Sequence, residues 1–397
     1  MRFRFDPEHD ELRQVIRRLL GQSAGPAAAI ALADEPVACD PQLTAGLAEI
    51  GVYGLGVPER LGGGGFGLLE LGVVCQEAGR AALGAPLLSA VLAADLVLQA
   101  AAAGAGGFAG GFAGGLLARI AAGELLAAPA IAEGPLGWDA VPSTAASAGG
   151  SSAGWTLTGT KEWVQDGAQS GLFVVSATTP DGPALFAVAA GAPGVTVEPV
   201  ATIDVSRRFA RLRLLGTPAT PLAVPDALAA VRRTRDLGLA LLSADNVGVA
   251  QRCLEMAVGW AREREQFGQA IGSFQAIKHK LASVRLELEA AESACLYALW
   301  AAQGAPEEFA TAARIAAYTC GAAAVLAASE NIQVHGAIGA TWEHPAHVYL
   351  RRATVGRRLL ADPQALLEEL AQVVEDSVFV STAVPAAVPT TTAVSAA

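Results

Sequence analysis

The chain has 397 residues, a formal net charge of −11, and 52% hydrophobic against 16% charged residues. That length supports two or three domains and a sizeable core, and an acidic balance without a basic stripe argues against nucleic acid as a partner. No run of about 18 or more apolar residues free of charge and heavy glycine reads as a membrane span; the nearest, Ala81 to Leu117, is broken by Pro86, Asp95 and several glycines.

Residues 5–50 read as helices, with Leu12, Val15, Ile16, Leu19 and Leu20 as an apolar stripe. The polar start has no apolar core of a signal peptide. Gly62 to Gly65 marks a turn, and residues 68–103 read as two helices parted near Gly84-Ala85-Pro86. A Gly-Gly-Phe-Ala repeat over 104–115 reads as a low-complexity loop or helix join. From about Leu126 short β-forming runs take over: Trp155 to Thr158, Leu172 to Ser176, Leu185 to Val188, Val195 to Pro199 and Ala210 to Leu215. Gly, Asp and Pro lie between them, which predicts an antiparallel barrel or small sandwich. The helical pattern returns from about Pro225 to Val378, and an Ala/Thr/Pro-rich tail follows. The expected division is a helical segment over 1–125, a β segment over 126–218, a helical bundle over 219–380 and a disordered tail over 381–397. Five scattered cysteines, Cys39, Cys75, Cys253, Cys295 and Cys320, have no framework spacing, so reduced thiols and a cytoplasmic location are expected.

Two stretches carry the chemistry. In Arg262 to Gln275, Arg264 and Gln275 flank a Phe267-Gly268 break between two helical patterns. A guanidinium at a helix end beside a turn suits a phosphate or pyrophosphate. In Gln333-Val-His-Gly-Ala-Ile-Gly-Ala-Thr-Trp-Glu343, Gly336 and Gly339 let backbone approach a ligand closely. His335, His344 and His347 have no cysteine or carboxylate to complete a metal set. Arg351, Arg352, Arg357 and Arg358 read as a solvated helix face, and Asp204-Val-Ser-Arg-Arg208 as a turn with surface charges.

In that order, the two stretches resemble the acyl-CoA dehydrogenase family of flavoproteins, whose pattern is Arg-x-x-Phe-Gly, then Gln, then Gln-x-x-Gly-Gly-x-Gly-x-Thr-x-Glu; Ala337 replaces one glycine here. Gly51 to Gly63, Val74 to Arg80 and Gly154 to Trp163 resemble three further family stretches. The resemblance implies an α+β fold: an N-terminal helical domain, a middle antiparallel β-barrel domain and a C-terminal four-helix bundle that forms tetramers. It implies α,β-dehydrogenation of an acyl thioester on CoA or an acyl carrier protein, with FAD as cofactor and an electron-transfer flavoprotein as a suitable acceptor. For FAD it implies Arg264 and Phe267 at the diphosphate and adenosine, Gln275 beside them, and Gln333, Gly336 and Gly339 at the ADP half across a subunit boundary. Ala132 and Glu133 fall in the segment along the flavin's pyrimidine edge, though Gly134 to Asp139 departs from the family ending. Trp163 falls beside the isoalloxazine, and Gln165 stands where a Thr or Ser is common.

Both family locations of the catalytic base lack a carboxylate in this chain. The loop location reads Leu359-Leu360-Ala361-Asp362, and the helix location, 26 residues before Arg264, is Gly238 followed by Leu239. Asp245, two helical turns from Gly238 on the same face, is one substitute base; Asp362 is another, and Asp236 falls where the substrate's polar half is expected. Three readings follow: a self-sufficient enzyme with a non-standard base, a base-lacking subunit that assembles with a catalytic paralogue as in the α2β2 branch, or a flavoenzyme repurposed for secondary metabolism.

Overall fold

A computed structural model describes residues 5–37, 40–103, 111–134, 137–138, 141–148 and 154–381. The expected tail beyond Ser381 and residues 104–110 of the glycine repeat lie outside the described residues. Asp6 opens α1 (Pro7–Ser23) by accepting the His9 amide at 3.2 Å, with Pro7 in the first turn. Ile16 and Leu20 of the expected stripe are buried, whereas Val15 is 45% exposed. Short helices α2 (Pro26–Ala31) and α3 (Pro41–Glu49) precede the long pair α4 (Leu68–Arg80) and α5 (Leu87–Ala103), and α6 (Phe112–Ala121) completes the first helical layer.

The middle strands are β1 (Ala127–Ala130), β2 (Ala145–Ala148), β3 (Trp155–Gln165), β4 (Leu172–Thr179), β5 (Gly182–Ala189), β6 (Val195–Val200) and β7 (Phe209–Leu222). Position 218, the expected end of the β segment, lies within β7. Pairings run from β4 to β2, β3, β7, β5 and back to β4, so the sheet closes on itself. Closure removes most free edges. Two pairings are parallel, β1 with β4 and the single β2–β4 contact, where purely antiparallel order was expected. Inside sit Leu157, Phe173, Val175, Phe186, Val188 and Leu212.

The last layer is α7 (Ala227–Glu263), α8 (Gln275–Gly304), α9 (Phe309–His335), α10 (Ala346–Gly356) and α11 (Pro363–Ser381). Asp226 starts α7 by accepting the Ala229 amide at 2.9 Å. Helices, barrel-like sheet, helices is the order the sequence predicts. The expected absence of a membrane span meets one exception. Phe309–Ala340 is long and apolar enough to cross a membrane by length and composition alone. Here Ala313, Ala316, Cys320, Ala324 and Ala328 of that stretch are buried in the bundle core.

Two glycines set how closely α4 and α7 cross. A Cβ on Gly79 would stand 2.0 Å from the Asp245 carbonyl oxygen, and one on Gly248 would stand 1.9 Å from that of Gln76. The backbones therefore touch, which fixes Asp245 against the N-terminal helices.

A buried pair braces the barrel. The Lys161 ammonium, fully buried, meets Glu133 at 2.5 Å, the Ser176 hydroxyl at 3.1 Å and the Ile131 carbonyl at 3.3 Å. Burial draws Lys161 down to about 8. Burial pushes Glu133 up, but hydrogen bonds from Lys161, Ser143 and Thr144 outweigh it and hold the carboxyl at about 2. A depressed carboxyl contributes stability above its ordinary range that is lost as pH falls towards the folded value. Glu133→Gln leaves a buried ammonium without its counter-charge and is expected to cost about 3–5 kcal/mol. Denaturation midpoints check this: the single variant falls, and Glu133→Gln combined with Lys161→Met recovers most of the loss.

Candidate functional site

Helix α7 ends at Arg264, whose amide donates to the Trp260 carbonyl at 2.8 Å. The chain then forms a two-strand hairpin, β8 (Glu265–Gln266) with β9 (Gln269–Ala270). Its tip, Phe267 and Gly268, has φ of 56° and 78°, the pair of left-handed residues that a tight hairpin of this type requires. Phe267 is 94% exposed. Gln275 is the first residue of α8 and is exposed. The Arg264 guanidinium lies 6.0 Å from the Trp260 ring centre. Trp260 in turn stacks on His335 at 5.1 Å, and His335 leads directly into Gly336. Gly336 has φ 71° and ψ −148°, a conformation open essentially to glycine alone. Gly339 is buried, and exposed Gln333 occupies the last turn of α9. Beneath them Ala257, Ala261, Val334, Ile271 and Ile277 make one small core. The structure thus gathers the two sequence stretches at one end of the bundle, with a guanidinium and a glycine turn facing solvent.

A separate cleft of about 750 Å³ opens between the sheet and the last helices, lined by Ala132, Gly134, Trp138, Trp163, Phe209 and residues 354–355 and 358–362, among others. Such a volume suits a planar organic group. Trp163 sits at a register shift in β3, with φ 55° and half its surface exposed, its ring edge-on to Phe209 at 6.4 Å. A left-handed backbone is uncommon for so bulky a residue and stores local strain. Glu133 does not present its carboxylate to the cleft as a free group, because Lys161, Ser143 and Thr144 occupy it. Gln165 turns to a different cavity, lined also by Asp166, Arg207, Asp245 and Arg352. None of Arg264, Phe267, Gln275, Gln333 or Gly336 lines the large cleft.

The two expected base locations face each other. A Cβ on Gly238 would lie 2.6 Å from Leu360 Cδ1 and 3.2 Å from both Leu92 methyl carbons. Leu360 has φ 73°. Asp362 is already engaged: Arg358 donates to it at 2.6 Å and the Gln364 amide at 2.9 Å, which starts α11. Asp236 is buried in α7, its carboxylate 3.5 Å from the Arg314 guanidinium.

Asp245 is buried between two arginines. Arg207 donates to it at 2.9 Å, and Arg352 at 3.1 and 2.5 Å. Arg207 also reaches Asp204 at 3.0 Å, and Arg352 reaches the Ser206 hydroxyl at 2.7 Å and the Leu83 carbonyl at 3.0 Å. Burial pushes the Asp245 carboxyl up, but Arg352 and Arg207 hold it below the ordinary value. A carboxylate with both oxygens bonded and its proton affinity lowered is a poor base. The expected solvated face and surface turn are corrected here, since Arg352, Arg207, Asp204 and Ser206 are all buried. Periodicity gave no warning, because the four charges come from distant segments. Among the described residues no His, Cys, Asp or Glu cluster is placed to hold a metal ion.

Family models match on both sides of the sheet segment in the chain: the acyl-CoA dehydrogenase N-terminal domain over residues 6–104 and the acyl-CoA dehydrogenase C-terminal domain over 230–371. The chain is 32% identical over 372 residues to the acyl-CoA dehydrogenase IpdE2 of Mycobacterium tuberculosis, covering 93% of this chain and 98% of the relative. It belongs to the acyl-CoA dehydrogenase family. Members are FAD-dependent oxidoreductases of CH–CH bonds, and that is this chain's enzyme class. A solved steroid ACAD, a Tcur3481-Tcur3483 variant, matches with TM-score 0.83 and 30% identity over 94% of this chain and 99% of that one. The ChsE4-ChsE5 complex from Mycobacterium tuberculosis matches with TM-score 0.82 and 26% identity over 95% and 99%. A glutaryl-coenzyme A dehydrogenase, solved with glutaryl-CoA, shares the fold at TM-score 0.86 and 22% identity, over 95% and 97% of the two chains.

Removing one charge from the buried network tests its role. Asp245→Asn leaves Arg207 paired with Asp204 and Arg352 with only the neutral Ser206 hydroxyl and Leu83 carbonyl, and is expected to cost about 3–5 kcal/mol of stability. Thermal melting checks it; an unchanged midpoint with abolished turnover would return Asp245 to the role of base.

Proposed function

We propose that this acyl-CoA dehydrogenase chain is the base-lacking subunit of an FAD-containing hetero-oligomer, completed by a paralogue that carries the catalytic carboxylate. One observation carries the reading: Gly238 and Leu360 close the base positions with apolar contact while the dinucleotide-binding end remains built. Neither proposed substitute, Asp245 or Asp362, has an uncommitted carboxylate, so a self-sufficient enzyme with a non-standard base finds no support. Solved relatives that pair two different chains, such as the ChsE4-ChsE5 complex, favour the same view.

The residues fit FAD. Arg264 offers a solvent-facing guanidinium to the diphosphate. Gly336 lets backbone amides approach the ADP half without a Cβ in the way. Phe267, projecting from its hairpin tip, offers an aromatic face to adenine, and Gln275 and Gln333 offer amides beside it. Trp163 and the cleft wall flank a planar ring. Bound FAD supplies the hydride acceptor of the family's reaction. Because the cleft and the Arg264–Gly336 end do not meet within one chain, each dinucleotide would be shared between adjoining subunits. The α-proton goes to the paralogue's carboxylate, so this chain's work is binding and orientation. An acyl-CoA or acyl carrier protein thioester is the substrate, and an electron-transfer flavoprotein is a fitting acceptor.

Co-expression with a neighbouring paralogue is expected to give a yellow complex that bleaches with an acyl thioester. Arg264→Ala, at an exposed helix end, is expected to weaken flavin retention about ten- to a hundredfold, the value of charge-assisted hydrogen bonds, with the assembly intact. Flavin absorbance per complex after gel filtration reads both. A chain that alone binds FAD and bleaches with acyl-CoA overturns the proposal.

A further inference from the structure

Trp163 enters the large cleft from an irregular piece of β3. Lys161 pairs with Leu212 and Val164 with Ala210, so Glu162 and Trp163 together oppose Arg211. That is a bulge, and a bulge re-aims the side chains it carries. Trp163 holds φ 55° there, a backbone state that its Cβ disfavours. The residues on either side hold the bulge in place. Val164 is buried against the barrel core. Lys161 is fully buried and meets Glu133 at 2.5 Å. Glu133 is fixed in turn by the amides and hydroxyls of Ser143 and Thr144. Within the bulge, the Glu162 amide donates to the Ala132 carbonyl at 2.9 Å, and the Glu162 carboxylate accepts from Arg211 at 2.6 Å. Ala132 and Gly134 line the same cleft as Trp163, whereas Lys161 and Glu133 do not. The ion pair therefore ties two walls of the cleft together without entering it.

We infer that Lys161 is a positioning residue for the bound ring: paired with Glu133, it locks the bulge that aims Trp163 into the cleft. This rests on the reading that the cleft takes the flavin ring, and goes beyond it to a residue that touches no cofactor. The physical basis is preorganisation. The folded barrel keeps Trp163 in its strained state before any ligand arrives. Without the ammonium the bulge relaxes, and the ring must then select the fraction of chains still in the aimed form. Apparent affinity falls by that fraction.

A double-mutant cycle on flavin affinity tests this. The complex with the paralogue, freed of flavin, is titrated with FAD and followed by flavin fluorescence in four forms: the parent, Lys161→Met, Trp163→Gly and the two together. Methionine keeps most of the buried volume of lysine without its charge, and glycine is at ease at this φ. Lys161→Met is expected to weaken FAD about tenfold while Trp163 is present. In the Trp163→Gly background, where no strained side chain is left to aim, it is expected to cost less than about twofold. An ion pair that only braces the barrel gives the same factor in both backgrounds. Equal factors overturn the inference, and so does Lys161→Met binding FAD as tightly as the parent. Where Lys161→Met melts too low to titrate, Glu133→Gln combined with Lys161→Met takes its place in the cycle, with the same outcomes. Failure of the flavin reading has a different signature: Trp163→Gly alone then leaves FAD affinity unchanged, and the inference falls with it.

Discussion

Four buried charges hold the three layers together. Asp204 and Arg207 leave the sheet just before β7, Asp245 comes from the middle of α7, and Arg352 comes from α10. Two carboxylates face two guanidiniums, so the cluster is neutral, and hydroxyl and carbonyl groups at Ser206 and Leu83 take the remaining donors. Taking such charges out of water costs several kcal/mol per ion, and only good geometry repays it. The arrangement is therefore intolerant: shift one layer and a bare charge is left inside. The cleft and the strap that carries Leu360 both lie between the elements this cluster joins, so their shape depends on it.

The close crossing of α4 and α7 makes the cluster possible. Gly79 and Gly248 allow backbone contact, which brings Asp245 up to the turn after α4, where the Leu83 carbonyl waits for Arg352. Small residues thus set a distance, and the charges then use it. The same logic operates at the other end of α7. There Trp260 carries Arg264 on one side and stacks on His335 on the other, so the helix end and the glycine turn share one rigid support.

Local chemistry was legible in the sequence, and long-range chemistry was not. The helix breaks at Arg264 and Gly336 announce themselves within a few residues, because a left-handed tip and a glycine turn are written in Phe267-Gly268 and Gly336. The clusters of β-forming residues at Leu172, Leu185 and Val195, bounded by Gly, Asp and Pro, predicted strands, and the first two are buried along continuous runs. Asp245 misled for the opposite reason. Its helical spacing from Gly238 is real, but its partners Arg207 and Arg352 come from other segments, and no periodic signal shows that a turn of charged residues is buried. Glu133 lies between two residues that line the cleft, Ala132 and Gly134, but its own carboxylate is taken by Lys161. Leu360 was read only as an absent carboxylate; its contact with Gly238 spans the whole last layer, and a left-handed leucine has no sequence signature.

The two expected base positions are coupled by packing. A glutamate at position 238 requires the Leu360 side chain to move, since its Cβ would stand 2.6 Å from Cδ1. Conversely, position 360 stands between the apolar contact of Gly238 and Leu92 and the cleft, which Arg358 also lines. A carboxylate turned to the apolar side would be costly to bury and its pKa would rise. Each of the two positions therefore constrains what the other can hold.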